Sequence, residues 1–370
     1  IPPPGKPTTT ISAVVYLTTW PPTVHTNPTG PPSAGSGRLR CFLPGPRTDG
    51  SQRFQVPVCL RQGWLIMRRV IDYSVYLVVR LLICVVQAMP VAIGDSIARR
   101  LAWLFCDVLR LRRRVLEENL SHAFPEMSEA DRRRLERAMW EHLFRLVLEV
   151  AHTPRKIHDT NWRDFVVLSG ERELMRQLLA DRPTMIVTGH YGNFEVGGYV
   201  LGVLGFPTHT VARTLDNPFL DRFVNDFRGR TGQHIIPKNG GYEQIEAVMS
   251  KHGTMTFLAD QYAGPKGCWI RFFGRPASAH KAIALLSFEH QAPVYVSAVR
   301  RLGRPMAFEL RQYACADPAC GGDEVRGVRE LTQWFHDWLE RIIRQDPAQY
   351  WWIHRRWKDT REKPALRKAA

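Results

Sequence analysis

From residue 169 onward, short apolar segments alternate with amphipathic segments, which predicts an α/β domain. An order in which each strand is followed by a helix is typical of a largely parallel sheet flanked by helices. In such sheets ligands bind at the carboxyl ends of the strands. The predicted strands cover 184–189, 209–213, 254–259, 293–299 and 307–312, and the predicted helices lie near 170–181, 193–204, 217–230, 241–252, 280–290 and 325–345.

A longer amphipathic helix is predicted upstream of this domain. Ser128 and Asp131 form a capping-box pattern, and apolar residues follow at helical spacing. His142 lies on the apolar face, where a hydrogen-bonded core histidine is more common than a metal ligand.

Residues 70–93 are mostly apolar and follow two arginines, which predicts a membrane anchor helix over 67–98. Asp72 and Arg80 interrupt the segment, and Pro90 should bend it. A transmembrane helix, an interfacial anchor and a buried helix of a soluble domain all remain open.

Residues 1–66 are rich in Pro, Thr and Gly and show no periodic apolar pattern. Such a segment buries too little surface to offset the entropy of ordering it, so we expect a disordered leader. We expect this leader to be dispensable or foreign to the native protein, and a chain that begins at Met67 to keep its activity.

The chain carries 51 Lys and Arg against 35 Asp and Glu, a formal net charge of +16, which favours anionic partners. Arginines cluster directly after the anchor, where they suit an anionic membrane surface. The seven cysteines include no CxxC pair, which indicates reduced thiols in a cytosol-facing protein. The clustered arginines are Arg99, Arg100, Arg110, Arg112, Arg113 and Arg114.

A histidine and a glutamate five positions apart, His190 and Glu195, follow the predicted strand 184–189. Gly189 and Gly192 permit a tight turn. With His190 on the turn and Glu195 in the first helical turn, the carboxylate can accept from one ring nitrogen and leave the other as a base. No serine or cysteine nucleophile lies in the turn, which favours direct transfer over a covalent intermediate.

The same spacing occurs a second time, at His354 and Asp359 in the segment "WWIHRRWKD". The pair of His190 and Glu195 is favoured over this second pair, because His190 directly follows a predicted strand. We therefore expect substitution of His354 or Asp359 to leave turnover nearly intact. The aromatic and basic segment 350–358 suits either anionic headgroups or ordinary packing, and "FFG" at 272–274 suits either an acyl groove or the core.

Five segments occur in order: "RRRVLEENLSHAFPEMS", "GHYGNFE", "RTLDNPFLDRFVNDFRGRTG", "LADQYAGPKG" with "RFFGRPAS", and "PAQYWWIHRRWK". Over about 67–361 they closely resemble the lysophospholipid acyltransferase family that adds secondary acyl chains to lipid A. The resemblance implies a glycerolipid acyltransferase-like fold and an acyltransferase domain over 99–361, followed by a basic tail at 362–370.

The resemblance also implies site residues. His190 is then the general base, Glu195 its orienting partner, Arg228 the motif arginine, with Arg230 as the alternative, and Asp260 the aspartate of the Asp-Gln segment. The candidate substrate-binding residues are Asn193, Arg230, Gly264 and Lys266, although Asn193 also suits a helix cap.

Members of this family take acyl groups from acyl carrier protein at the cytoplasmic face of the bacterial inner membrane. We therefore expect acyl carrier protein, a glycolipid acceptor and an anionic membrane surface as partners, and neither a cofactor nor a metal. The family also contains acyltransferases for mannosylated phosphoinositides, which leaves the acceptor open.

Three interpretations from other classes remain, and the presence of both His190 and Glu195 argues against one of them, a non-catalytic membrane protein of the same fold. The positive charge would also suit a nucleic-acid-binding protein, but no base-reading or stacking module is present in the sequence. A metallohydrolase built on His190 would need further histidines at ligand spacing, and these are missing.

Overall fold

The computed structural model describes residues 58–358, with side chains from Ile66 onward. The described chain forms helices and strands in mixed order. The helices are α1 (Val58–Ala88), α2 (Val91–Trp103), α3 (Arg113–Ala123), α4 (Glu129–Lys156), α5 (Arg172–Leu178), α6 (Phe194–Val203), α7 (Pro218–Gly229), α8 (Tyr242–Ser250), α9 (Ala282–Glu289) and α10 (Val328–Gln345). The strands are β1 (Val166–Ser169), β2 (Thr184–Thr188), β3 (Thr208–Ala212), β4 (Gln233–Pro237), β5 (Thr254–Leu258), β6 (Cys268–Phe272), β7 (Arg275–Ala279), β8 (Val294–Arg301) and β9 (Phe308–Ala316).

Seven strands form one sheet in the order β1-β9-β8-β2-β5-β3-β4. The five strands from β8 to β4 are parallel to one another, whereas β9 runs antiparallel to β8, and β1 runs parallel to β9. Strands β6 and β7 form a separate antiparallel hairpin. The predicted α/β class with a largely parallel sheet is confirmed.

All five predicted strands are present, but the sequence patterns missed four others. β1 has only four residues, and β4 places Gln233 and Pro237 at its ends, so neither shows a clear apolar pattern. The hairpin of β6 and β7 contains the "FFG" segment, whose Phe272 and Phe273 are buried in the core.

The predicted anchor over 67–98 consists of two helices. Helix α1 ends at Ala88, and α2 begins after Pro90, as expected from the missing N–H and fixed φ of proline. Helix α1 begins at Val58, so the expected leader boundary at residue 66 falls inside a helix. Residues 1–57 and 359–370, with most of the leader and the basic tail, lie outside the described residues.

Helix α4 packs against α2 and contributes more buried residues than any other described helix. Ser128 is its N-cap and accepts from the backbone N–H of Asp131, as the capping pattern predicts. Met139, Trp140 and Leu146 are fully buried on its inner face.

Candidate active site

Two neighbouring parallel strands, β2 and β5, end side by side, with Thr188 paired to Leu258. His190 and Asp260 each follow two residues beyond these ends. Gly189 lies against Asp260, and a Cβ at Gly189 would be 3.4 Å from the Asp260 carboxyl carbon. The sheet topology therefore brings the predicted base and the predicted aspartate together.

Asp260 holds His190 through two hydrogen bonds. Its carboxylate lies 2.7 Å from the His190 Nδ1 and accepts the His190 backbone N–H at 2.9 Å. Asp260 is 1% exposed, so little water competes for these bonds. Burial by itself raises the pKa of Asp260, but the His190 ring and its hydrogen bonds outweigh burial and hold the pKa well below the ordinary value.

An ionised Asp260 fixes the tautomer of His190. A carboxylate only accepts, so Nδ1 of a neutral ring carries the proton and Nε2 keeps its lone pair. The Gln261 amide nitrogen lies 3.2 Å from that Nε2 and is placed to donate to it. The side chain of His190 remains 13% exposed, and the lone pair on Nε2 makes this ring the candidate base.

Glu195 does not take the role that the sequence predicted for it. It lies in the first turn of α6, as expected, but both of its carboxylate oxygens bind the Arg228 guanidinium, at 2.7 and 3.2 Å. Glu195 and Arg228 are 4% and 8% exposed. The orienting contact to His190 comes from Asp260 instead, and Glu195 and Arg228 form a buried bidentate ion pair beside it.

The turn that carries His190 packs against Val299 and His142 through Gly192. Gly192 has a φ of 59°, and a Cβ there would lie 1.7 Å from the Val299 carbonyl oxygen, so only glycine fits. His142 donates from Nε2 to the Gly192 carbonyl at 3.2 Å and accepts from Arg301 at 2.6 Å. This confirms His142 as a hydrogen-bonded core histidine.

Asn193 completes this support. It is fully buried, it caps α6 by accepting from the Val196 N–H, and it donates to Glu149 at 2.9 Å. Glu149 in turn forms a bidentate ion pair with Arg301, at 2.6 and 2.7 Å. Both polar groups of Asn193 are thus used inside the protein, which favours the capping role.

The C-terminal segment packs into the site rather than onto a membrane surface. Tyr350, Trp351, Trp352 and Trp357 are all buried. The backbone N–H of Trp351 donates to the His190 carbonyl at 3.1 Å, and its ring centroid lies 5.3 Å from that of His190. Headgroup binding by these aromatic residues is therefore excluded, and ordinary packing is the correct interpretation.

His354 lies beside His190, a placement that its spacing to Asp359 did not predict. Its ring centroid lies 5.1 Å from that of His190, and its Nε2 is buried without a hydrogen-bond partner among the described residues. Burial, with His190 beside it, lowers the pKa of His354 to about 3, so this ring is neutral at physiological pH. The segment before it, Asp346 to Ile353, gives no sequence signal of this placement. Its apparent partner Asp359 lies outside the described residues.

A mostly apolar cavity of about 60 Å³ lies between α6 and the sheet. It is bordered by Thr188 and Phe194 on either side of the His190 turn and by Glu195 and Arg228. The ring of Phe194 contacts that of His190, with 5.3 Å between centroids. Apolar space therefore adjoins the candidate base.

The chain matches the family model for the bacterial lipid A biosynthesis acyltransferases over residues 64–359. It belongs to this family. It is 24% identical over 257 residues to a lipid A biosynthesis lauroyltransferase of Escherichia coli (strain K12), which covers 68% of this chain and 80% of the relative. It is also 24% identical over 280 residues to a lipid A biosynthesis palmitoleoyltransferase of the same strain, with 73% and 86% covered.

A phosphatidylinositol mannoside acyltransferase of Mycobacterium tuberculosis (strain ATCC 25618 / H37Rv) is 24% identical over 195 residues, with 52% of this chain and 60% of the relative covered. All three relatives are acyltransferases, and so is this protein.

Three candidate residues of the acyltransferase remain, namely Arg230, Gly264 and Lys266. Arg230 is exposed at the end of α7, away from the buried Arg228. Gly264 has a φ of 85°, and its carbonyl accepts from Ser278, which fixes the turn after Asp260. Lys266 is exposed on the same turn. Arg230 and Lys266 are thus exposed, whereas Gly264 is partly buried.

Proposed function

We propose that the chain transfers a fatty acyl group from an acyl carrier protein thioester to a hydroxyl of a lipid A precursor. One observation carries this proposal: a histidine at a strand end is held by a buried carboxylate on Nδ1 and offers Nε2 as a base. Membership of the lipid A family supports the substrate class.

In this mechanism Nε2 of His190 removes the proton of the acceptor hydroxyl while the oxygen attacks the thioester carbonyl carbon. The hydroxyl first displaces the Gln261 amide from Nε2. A new C–O bond forms, the carbonyl oxygen becomes an oxyanion, and its collapse breaks the C–S bond. The departing thiolate takes the proton back from His190. General base catalysis of this kind contributes about 10²- to 10⁴-fold.

Asp260 is the positioning residue in this scheme. It keeps the Nδ1 proton in place before the reaction and stabilises the imidazolium while His190 holds the second proton. The neutral His354 and Trp351 cover the ring and restrict water, which strengthens the interaction between Asp260 and His190.

Glu195 and Arg228 lie at one side of the site as an ion pair, in which the two opposite charges balance. Because it adjoins the apolar cavity beneath α6, we assign that cavity to the carbons of the acyl chain next to the thioester. The pair then positions the chain and the His190 turn together, since Glu195 and His190 belong to one strand-turn-helix unit.

The enzyme acts at the cytoplasmic face of the bacterial inner membrane in this proposal. The net charge of +16 suits both an anionic bilayer and an acidic donor protein. The mechanism uses only side chains of this chain and needs no cofactor.

A second acceptor is supported by one relative, the phosphatidylinositol mannoside acyltransferase. A mannosylated phosphoinositide presents a comparable sugar hydroxyl and anionic headgroup. The two acceptors require the same chemistry at His190 and differ only in the glycolipid that carries the hydroxyl.

Mass spectrometry of the glycolipids from cells with and without the gene distinguishes these acceptors. We expect a lipid A species that is heavier by one fatty acyl group in cells that carry the gene. The same mass gain on a phosphoinositide mannoside would identify the second acceptor, and unchanged glycolipids with the protein present in the membrane would refute both.

A further inference from the structure

One face of helix α1 contacts the catalytic domain, and Arg80 and Gln87 lie on that face. The Asp72 carbonyl accepts from the Asn217 side chain at 2.8 Å, and Gln87 donates to the Ala151 carbonyl at 2.8 Å. Between them, the guanidinium of Arg80 lies 4.9 Å from the ring centroid of Phe223. The polar residues that interrupt the apolar segment are therefore accommodated by α7 and α4.

The opposite surface of α1 is apolar and exposed. Eleven of its residues are large, hydrophobic and at least 44% exposed, far more than a soluble protein normally leaves in water on one helix. By length and composition, residues 66–88 form one helix able to cross a membrane, and only 11% of its most apolar window is buried. The exposed residues are Ile66, Met67, Val70, Ile71, Tyr73, Val75, Leu77, Val78, Leu81, Leu82 and Val85.

The contacts with the domain argue against a spanning orientation. From Asp72 to Gln87 the helix runs about 22 Å along α7 and the end of α4. The outer face of α7 carries Arg222 and Asp226, whose side chains are 80% and 63% exposed. If this part of α1 crossed the bilayer, those charges would lie in hydrocarbon, which is strongly unfavourable.

The part of α1 before these contacts is too short and too charged to cross alone. Residues 58–71 are about 21 Å long, against a hydrocarbon core of about 30 Å. Arg68 and Arg69 lie within it. Neither segment of the helix therefore has the properties of a transmembrane span.

We propose that α1 lies in the plane of the membrane, with its apolar face in the acyl region of one leaflet and its polar face on the catalytic domain. Helix α2 and the segment after it add further exposed apolar residues, since Trp103, Val108 and Leu109 are about half exposed. Exposed Arg100 and Arg110 adjoin these residues. Apolar side chains flanked by arginines fit an anionic leaflet rather than a second protein.

This orientation places both ends of the chain on one side of the membrane. The test uses the full chain with a peptide tag at either terminus, in sealed inside-out and right-side-out vesicles. Protease should remove both tags from the same vesicle type. Tags removed from opposite vesicle types would show that α1 spans and would overturn the proposal.

A depth measurement tests the same proposal within one face of the helix. Ile71, Val78 and Val85 are exposed at seven-residue intervals, and each is changed to a spin-labelled cysteine in a chain without other cysteines, with exposed Lys251→Cys as the aqueous control. In vesicles of zwitterionic and anionic phospholipid, collision rates with oxygen and a nickel chelate report depth.

An in-plane helix gives the three labels one common depth, about 5–10 Å below the headgroups. A spanning helix spreads them over about 21 Å and refutes the proposal. Labels shielded from both reagents, together with crosslinked dimers, would assign the face to a second copy and refute it equally. The proposal concerns the same membrane-bound enzyme as the proposed function, but neither measurement depends on catalysis, so each can fail separately.

Discussion

Replacement of Arg228 by alanine would leave the Glu195 carboxylate buried and without its bidentate partner. The two hydrogen bonds are 2.7 and 3.2 Å long, and the two side chains are 9% and 3% exposed. Removal of one member of such a pair costs about 3–5 kcal/mol of folding free energy, because an uncompensated charge remains in the interior. Arg230→Ala is the matched control, since an exposed arginine two positions away should cost no more than about 0.5 kcal/mol.

The double variant Glu195→Leu with Arg228→Met distinguishes the loss of the whole ion pair from the loss of one of its charges. Because it removes both charges and fills similar space, its stability should lie closer to that of the wild type than to Arg228→Ala. Arg228→Lys should be intermediate, since lysine keeps the charge but cannot form the bidentate fork. Activity losses in Glu195 and Arg228 variants should be similar and strongly non-additive.

Chemical unfolding of the detergent-solubilised protein and acyl transfer rates measure both effects. Equal, small stability losses in Arg228→Ala and Arg230→Ala would refute the buried pair. The activity losses of the Glu195 and Arg228 variants could instead be additive in the double variant, while those of the Glu195 and His190 variants are not. Glu195 would then act directly on His190, and the structural interpretation would be wrong.

Three further predictions concern other parts of the chain. A chain that begins at Met67 should fold and keep its activity, because residues 1–66 lack a periodic apolar pattern; loss of activity at equal expression would contradict this. His354→Ala should lower the turnover rate by roughly 10- to 100-fold, since it opens space beside His190 and loosens the ring; a wild-type rate would return His354 to a purely structural role. The free energy of unfolding should fall as the pH drops from about 6.5 towards 3, because burial lowers the pKa of His336 and His354 to about 3 and that of His142 well below its ordinary value, so the unfolded chain binds more protons in this range. Each such histidine contributes up to about 1.4 kcal/mol per pH unit, and acid titration of unfolding that is flat over this range would contradict the neutral, buried state.

The sequence predicted the sheet well because strand and helix periods are local signals. The segments at 184–189 and 254–259 are apolar and bounded by turn residues, so their strands and the positions of His190 and Asp260 at their ends were evident. The spacing of two residues on one turn is local too, and Glu195 indeed lies in the first turn of α6.

The sequence did not reveal which acidic side chain meets His190. That choice depends on the pairing of β2 with β5, separated by about seventy residues, and on the proximity of α7, which supplies Arg228 to Glu195. The same limit applies to His354, which is brought to the site by the packing of the C-terminal segment. Spacing rules describe neighbours along the chain, whereas these contacts are set by topology.

The central claim is that His190 is the base and that Asp260, rather than Glu195, holds its tautomer. Asp260→Asn tests it most directly, because the amide oxygen can still accept the His190 backbone N–H while the amide nitrogen faces Nδ1. The proton is then forced onto Nε2, and the base is lost. We predict that the acyl transfer rate of folded, membrane-bound Asp260→Asn falls by about 10²- to 10⁴-fold, close to that of His190→Ala. A rate near that of the wild type in Asp260→Asn, with His190→Ala inactive, would contradict the account.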